Sequence, residues 1–264
     1  MIPALWISKT GLDSQQTNIS VTSNNLANAS TVGFKRSRAI FEDLLYQKVN
    51  QPGGRSSANS YLPEGLMVGC GSKVVATQRQ FGQGDVESTD NSFDLMIDGR
   101  GFFEIELPDG TTAYTRNGQF TKNEEGVIVT SGEGFPLLPQ IQIPENATSM
   151  TVGRDGQVSV VLANGTTSQE LGQITVTDFI NPTGLESIGD NLYLETSASG
   201  APIQGIGGED GMGVIRQCML ETSNVKVTEE LVNLIQAQRV YEMNSKVLTT
   251  VDSLLDILAA NPKP

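Results

Sequence analysis

Residues 227–255, VTEELVNLIQAQRVYEMNSKVLTTVDSLL, decide the fold of this chain. Val227, Leu234, Tyr241, Leu248 and Leu255 recur every seven residues, which places them along one seam of a helix in the manner of a coiled coil. Leu231, Ile235, Val251, Leu254 and Leu258 broaden that apolar face, and Glu242 with Lys246 forms an i,i+4 pair in the favoured orientation. The preceding Glu221-Thr222-Ser223-Asn224-Val225-Lys226 opens the segment, with Asn224 or Thr228 as candidate N-cap. Glu229 and Glu230 complement the helix dipole, and Asn261-Pro262 stops the helix.

The other end carries the same period more weakly. Leu5, Leu12, Ile19 and Leu26 are also seven apart, but 15 of the first 33 residues are Ser, Thr, Asn or Gln. The second apolar position of each heptad is filled by Ser, Thr, Lys or Gln, so the helix buries too little to offset the entropy of ordering it alone. Its natural partner is the C-terminal helix. A chain whose two ends are both unfinished helices is built to be completed by neighbours, and both ends of an isolated monomer are expected to be loosely ordered. The string Asn24-Asn25-Leu26-Ala27-Asn28 to Gly33 reads as a polar helix end with Gly33 as its left-handed C′ residue. Lys35, Arg36 and Arg38 read as a solvated hinge.

The middle follows a different pattern. Residues 35–65 read as an extended linker, with turn chemistry at Gln51, Pro52, Gly53 and Gly54. From residue 66 to 223 the chain alternates short β-prone runs with Asp109-Gly110, Asn117-Gly118, Asp155-Gly156 and Asn164-Gly165, dipeptides suited to tight hairpins. The expected class is α+β: residues 1–34 and 224–264 as a paired helical domain, and residues 66–223 as a central antiparallel β domain, a sandwich or irregular barrel.

Charge and composition exclude several functions. Between Phe81 and Val225 there are 21 acids and 5 bases, and such an excess repels phosphate, so nucleic acid is not an expected partner. No apolar run is long enough to cross a bilayer, and the N-terminus lacks the pattern of a cleaved secretory signal. The chain has no histidine, which removes the commonest general base and transition-metal ligand. Cys70 and Cys218 sit in no metal-binding or redox spacing. Gly99-Arg100-Gly101 lacks the third glycine of a dinucleotide fingerprint, the acids from Asp90 to Asp98 lack calcium-loop spacing, and no nucleophile elbow occurs. No enzyme activity, metal or cofactor is expected.

Two terminal strings and two central ones carry a family resemblance. Leu5-Trp6-Ile7-Ser8-Lys9-Thr10-Gly11-Leu12-Asp13 with Ser23 to Asn28, and Glu221 to Val225 with Glu229 to Arg239, resemble the bacterial flagellar rod and hook family of axial proteins. Asp98-Gly99-Arg100-Gly101-Phe102-Phe103 and Ala113-Tyr114-Thr115-Arg116-Asn117-Gly118-Gln119-Phe120 are similar to that family's β-domain signatures. The length suits a rod protein carrying one β block, since hook proteins are longer and rod proteins without a β block are shorter. Cys70 and Cys218 depart from the family pattern.

The resemblance implies a structural subunit that self-polymerises into a hollow tube. Leu5, Leu12, Ile19, Leu26, Val227, Leu231, Leu234, Tyr241, Leu248 and Leu255 would form its assembly interface, and the loop at Gln51 to Gly54 would stiffen a straight rod. It further implies contact with proximal rod and hook proteins, with peptidoglycan-ring and outer-membrane-ring proteins, and with the flagellar export apparatus. The rival reading from another class is a secreted β-rich binding or carbohydrate-active protein.

Overall fold

The computed structural model describes residues 2–50, 55–57, 60–61, 64–163 and 168–260. Gln51, Pro52, Gly53 and Gly54, and the Asn164-Gly165 turn, lie outside the described residues. The fold is α+β, with a helix at each end and a central antiparallel β region that closes no barrel. It divides into two units, residues 1–27, 37–78 and 226–264 in the first and residues 28–36 and 79–225 in the second.

The first unit is built on two helices, α1 from Ile2 to Ala27 and α2 from Val227 to Ala260. Pro3 is tolerated in α1 because the first turn has no intrahelical partner for its missing N–H. Two contacts fix how the helices pair. Asn25 Nδ2 donates to Glu230 Oε2 (3.4 Å), and Gly11 faces Asn244 so closely that a Cβ there would lie 2.8 Å from the amide nitrogen. Gly11 and Asn25 are two heptads apart, as are Glu230 and Asn244, in opposite directions. The pair is therefore antiparallel and keeps register along its length.

Residues expected to be a linker are β-structure. Strand Ser37–Asp43 pairs with Ser72–Arg79, and Tyr46–Asn50 pairs antiparallel with Leu66–Gly69. Between them Arg55–Ser57 pairs with Ser60–Tyr61. Asn25 ties α1 to the first of these strands, its side chain accepting from Ser37 N–H (2.9 Å) and donating to Ser37 O (2.8 Å). The compact division thus falls after Gln78 rather than after residue 65.

Helix boundaries also depart from expectation. Strand Met219–Glu221 ends at Glu221, and α2 opens at Val227 with the Lys226 carbonyl accepting from Glu230 N–H (3.0 Å), so neither Asn224 nor Thr228 caps it. Glu229 and Glu230 occupy its first turn, and Lys226 pairs with Glu229 at 3.4 Å. At the other end α1 stops at Ala27, well before Gly33. Gly33 does have a positive φ of 70°, but for a different reason: a Cβ there would lie 2.8 Å from the backbone of Arg116 and Asn117.

The second unit is a set of small antiparallel sheets. Its five-stranded sheet has the order Leu137–Leu138, Phe103–Glu106, Thr112–Thr115, Leu192–Leu194, Glu186–Gly189. A three-stranded sheet joins Ala147–Val152, Gln157–Leu162 and Ser168–Gln173. Gly110 (φ 75°) and Gly156 (φ 86°) turn the two hairpins expected at Asp109 and Asp155. Asn117-Gly118 is not a hairpin; Gly118 instead lets its backbone pass against the Leu95 carbonyl, where no Cβ fits.

Phe102 and Phe103 show how period-two alternation builds this interior. Successive side chains in an extended chain point to opposite faces. Phe103 enters a cluster with Leu95, Ile97, Phe120, Val158 and Val176, while Phe102 enters a separate one with Tyr114, Phe179 and Tyr193. Edge-to-face aromatic contacts order both, Phe103 on Phe120 at 5.3 Å and Tyr114 on Phe179 at 4.8 Å.

Candidate assembly surfaces and the buried polar cluster

The seven-residue period is present in the structure, but its phase differs from the leucine lines. In α2 the residues turned inward are Glu230, Ala237 and Val251, with half-buried Asn244 completing the heptad. In α1 they are Ser8, Ser14, Thr22 and Asn25, and Ser14 Oγ meets Ser72 Oγ at 3.1 Å. Leu12 and Leu26 each follow a seam residue, Gly11 or Asn25, by one position. Leu5, Leu12, Ile19 and Leu26 are accordingly half-buried, as are Leu234 and Leu248. Val227, Leu231, Tyr241 and Leu255 are exposed.

Small and polar residues hold the seam because they permit close helix approach. That leaves large apolar groups on the outside of the pair. Val232, Ile235, Met243, Val247, Leu254 and Ile257 are all exposed on α2, Val232 at 53% and Met243 at 57%. At 100° per residue, Val232, Met243, Val247, Leu254 and Ile257 fall in one sector, which borders the seam at Val251 and turns away from Ala237. Gln236 and Arg239 interrupt this sector between Val232 and Met243, and the apolar run from Met243 through Val247 and Leu254 to Ile257 marks a surface meant to be covered.

Net charge is confined to one unit. The first unit has 9 acids and 9 bases, the second 21 acids and 8 bases, so the whole net charge of −13 belongs to the second. Among the described residues no cluster of three or more His, Cys, Asp or Glu could hold a metal ion. Among the described residues no helix is long and apolar enough to cross a membrane. Cys70 and Cys218 are free thiols.

Lys35 is not part of a solvated hinge. It is completely buried, its ammonium paired with Glu221 Oε1 at 2.5 Å and donating to Gly82 O at 2.9 Å. Glu221, equally buried, also accepts from Gly84 N–H (2.8 Å) through Oε1 and from the Arg116 guanidinium (3.4 Å) through Oε2. Arg116 donates further to Gly99 O (2.8 Å) and stacks over the Phe102 ring at 5.3 Å. Burial pushes the pKa of both cations down, and the Glu221 charge opposes that shift in each.

Asn224 extends the cluster. Its Oδ1 accepts from Arg36 N–H (2.7 Å), and its Nδ2 donates to Gln80 O (2.8 Å) and Gly82 O (3.0 Å). Backbone bonds run beside these, Gly33 N–H to Glu221 O (2.8 Å) and Gln80 N–H to Arg36 O (2.8 Å). Composition alone does not reveal this site, since Lys35, Arg116 and Glu221 are far apart in sequence. The available signal was that Arg116 and Glu221 each lie in one of the strings that carry the family resemblance.

Comparison with known proteins agrees with the geometry. Residues 6–35 match the family described as "Flagella basal body rod protein", residues 96–160 the "Flagellar hook protein FlgE/F/G D1 domain", and residues 216–261 the "Flagellar basal body rod FlgEFG protein C-terminal". Proteins named flagellar basal-body rod protein FlgG are 53% identical in Buchnera aphidicola of Acyrthosiphon pisum, over 98% of this chain and 99% of theirs, and 48% identical in Borreliella burgdorferi, over 97% of each. The protein of that name in Bacillus subtilis is 39% identical over 98% of each chain. The solved hook protein FlgE2 of Helicobacter pylori overlaps 71% of this chain and 43% of its own, at 18% identity and a TM-score of 0.25, too distant to add to the assignment. With relatives this close along its whole length, the chain belongs to the flagellar basal-body rod protein family.

Proposed function

We propose that the protein is the structural subunit of the distal rod, polymerising into a straight hollow tube that carries torque from motor to hook and leaves an open channel for exported subunits. The observation that carries this reading is the unfinished helix pair: its seam is polar and small, and its large apolar residues face outward. Neighbouring copies cover Leu5, Leu12, Ile19, Leu26, Val227, Leu231, Leu234, Tyr241, Leu248 and Leu255, and the helices line the tube with the β domain outside. Residues Gln51 to Gly54, outside the described residues, are assigned the role of stiffening the straight form.

The same reading assigns proximal rod and hook proteins as axial partners, and the peptidoglycan-ring and outer-membrane-ring proteins as the surrounding collar. The subunit resides in the flagellar basal body, in the part that spans the periplasm to the outer membrane, and leaves the cytoplasm through the flagellar export apparatus. Its role is mechanical rather than catalytic. Electron microscopy of the assembled protein tests the proposal: straight tubes are expected, curved tubes would reassign it to a hook-like role, and the absence of any polymer would overturn it.

A further inference from the structure

Four passages of chain enter or leave the β-rich second unit, after residue 27, before 37, after 78 and before 226. Within that unit all four run to the Glu221–Asn224 cluster. The segment 28–36 contributes Gly33, Lys35 and Arg36, the segment after residue 78 contributes Gln80, Gly82 and Gly84, and the exit segment contributes Glu221 and Asn224.

We propose that Glu221 and Asn224 form a lock that fastens these passages in a single cooperative event, so that the strap 28–36, the segment 80–84 and the exit strand 219–221 open and close together. The reason is the cost of partial opening. Glu221 serves donors 186, 137 and 105 residues away in sequence, two of them buried cations. Releasing the exit strand alone strands Lys35 and Arg116 without their counter-charge, and releasing the strap alone takes one cation from Glu221 and breaks the Arg36 N–H bond to Asn224 Oδ1. A buried charge left unpaired is strongly unfavourable, so states with one passage undone are depleted relative to all closed or all open. Ordinary strand ends fray singly; these do not. On the reading of the chain as a rod subunit, these segments of the second unit resist load as a whole.

Native-state hydrogen exchange on the full-length chain tests the lock without requiring polymer. Glu221→Gln is expected to accelerate exchange at Gly33, Gln80 and Thr222 by one common factor of about 100 or more, while the amides of strand Gln157–Leu162 keep their protection. Lys35→Met, which leaves Arg116 and Gly84 on Glu221, is expected to accelerate the same three amides by a smaller but again common factor. Acceleration of Gly33 and Gln80 with Thr222 unchanged, in either variant, would overturn the proposal, as would no acceleration in both. Should Glu221→Gln unfold the whole chain, the Lys35→Met result decides alone. Failure of the rod assignment would appear in microscopy and leave this measurement untouched.

Discussion

Gly11 of the first helix lies directly against Asn244 of the second, with room for a hydrogen and not for a fixed methyl group unless the Asn244 amide moves. The flexible end of Asn244 can give way, and alanine is intrinsically better than glycine in a helix by about 1 kcal/mol. Gly11→Ala is therefore expected to be close to neutral. Gly11→Leu would wedge the helices apart and cost about 1–3 kcal/mol, read by circular dichroism melting of both variants at one fixed, high subunit concentration. Equal melting of the two variants would show that the helices do not approach closely at this point.

The outward stripe of α2 and the inward seam should respond in opposite ways. Val232→Asp with Met243→Asp is expected to abolish polymer in sedimentation assays while changing monomer stability by no more than about 0.5 kcal/mol. Ala237→Asp puts a carboxylate on the seam and should loosen the helix pair in the monomer itself. Undiminished polymerisation of the stripe variant would remove that face from the assembly interface.

Alkaline titration probes the aromatic core. Burial, then the charges of Glu104 and Glu195, push the Tyr114 phenol up to about 12. An unfolded tyrosine loses its proton near pH 10, so above that pH the unfolded chain ionises while the native one does not, and stability falls between pH 10 and about 12. Two pKa units correspond to roughly 2–3 kcal/mol. Tyr193 shifts the same way through burial, whereas Lys35, held low by burial, favours the native state as pH rises. Tyr114→Phe isolates the one phenol: denaturant midpoints measured from pH 9 to 12 should fall less steeply in the variant than in the parent.

Cys218 has a φ of 56°, a left-handed conformation in a residue that has a Cβ. The conformation is held by its backbone, the N–H donating to Asp94 O and the carbonyl accepting from Thr89 N–H, each at 2.9 Å. Cys218→Gly is expected to be neutral to stabilising by up to about 1 kcal/mol, and Cys218→Val to destabilise by about 1–2 kcal/mol, because a β-branched side chain is least compatible with positive φ. Thermal melting separates the two, and a valine variant as stable as the parent would contradict the assigned backbone.

Period was legible in the sequence where phase was not. Seven-residue spacing of Leu5 to Leu26 and Val227 to Leu255 announced two paired helices, yet the contact itself is made by Gly11, Asn25, Glu230, Ala237 and Asn244. Hydrophobicity locates the line of leucines; closeness of approach is governed by small residues, which a search for apolar repeats passes over. The same limit hid the buried cluster. Lys35 beside Arg36 and Arg38 looks like a solvated basic patch, and only the fold brings Glu221 to it from 186 positions away. Local turn chemistry succeeded at Asp109-Gly110 and Asp155-Gly156, where the constraint is local, and failed at Asn117-Gly118, where the glycine answers to Leu95 instead.

The polar seam has a thermodynamic consequence for the subunit as a whole. Separating Gly11 from Asn244 or Asn25 from Glu230 exposes groups that water solvates readily, so the helix pair gains little from being closed in dilute solution. Whatever binds the closed form and not the open one raises its population by mass action. The melting temperature of these helices is then a function of subunit concentration and not a constant of the chain, low in a freshly released monomer and high once copies accumulate at a growing end.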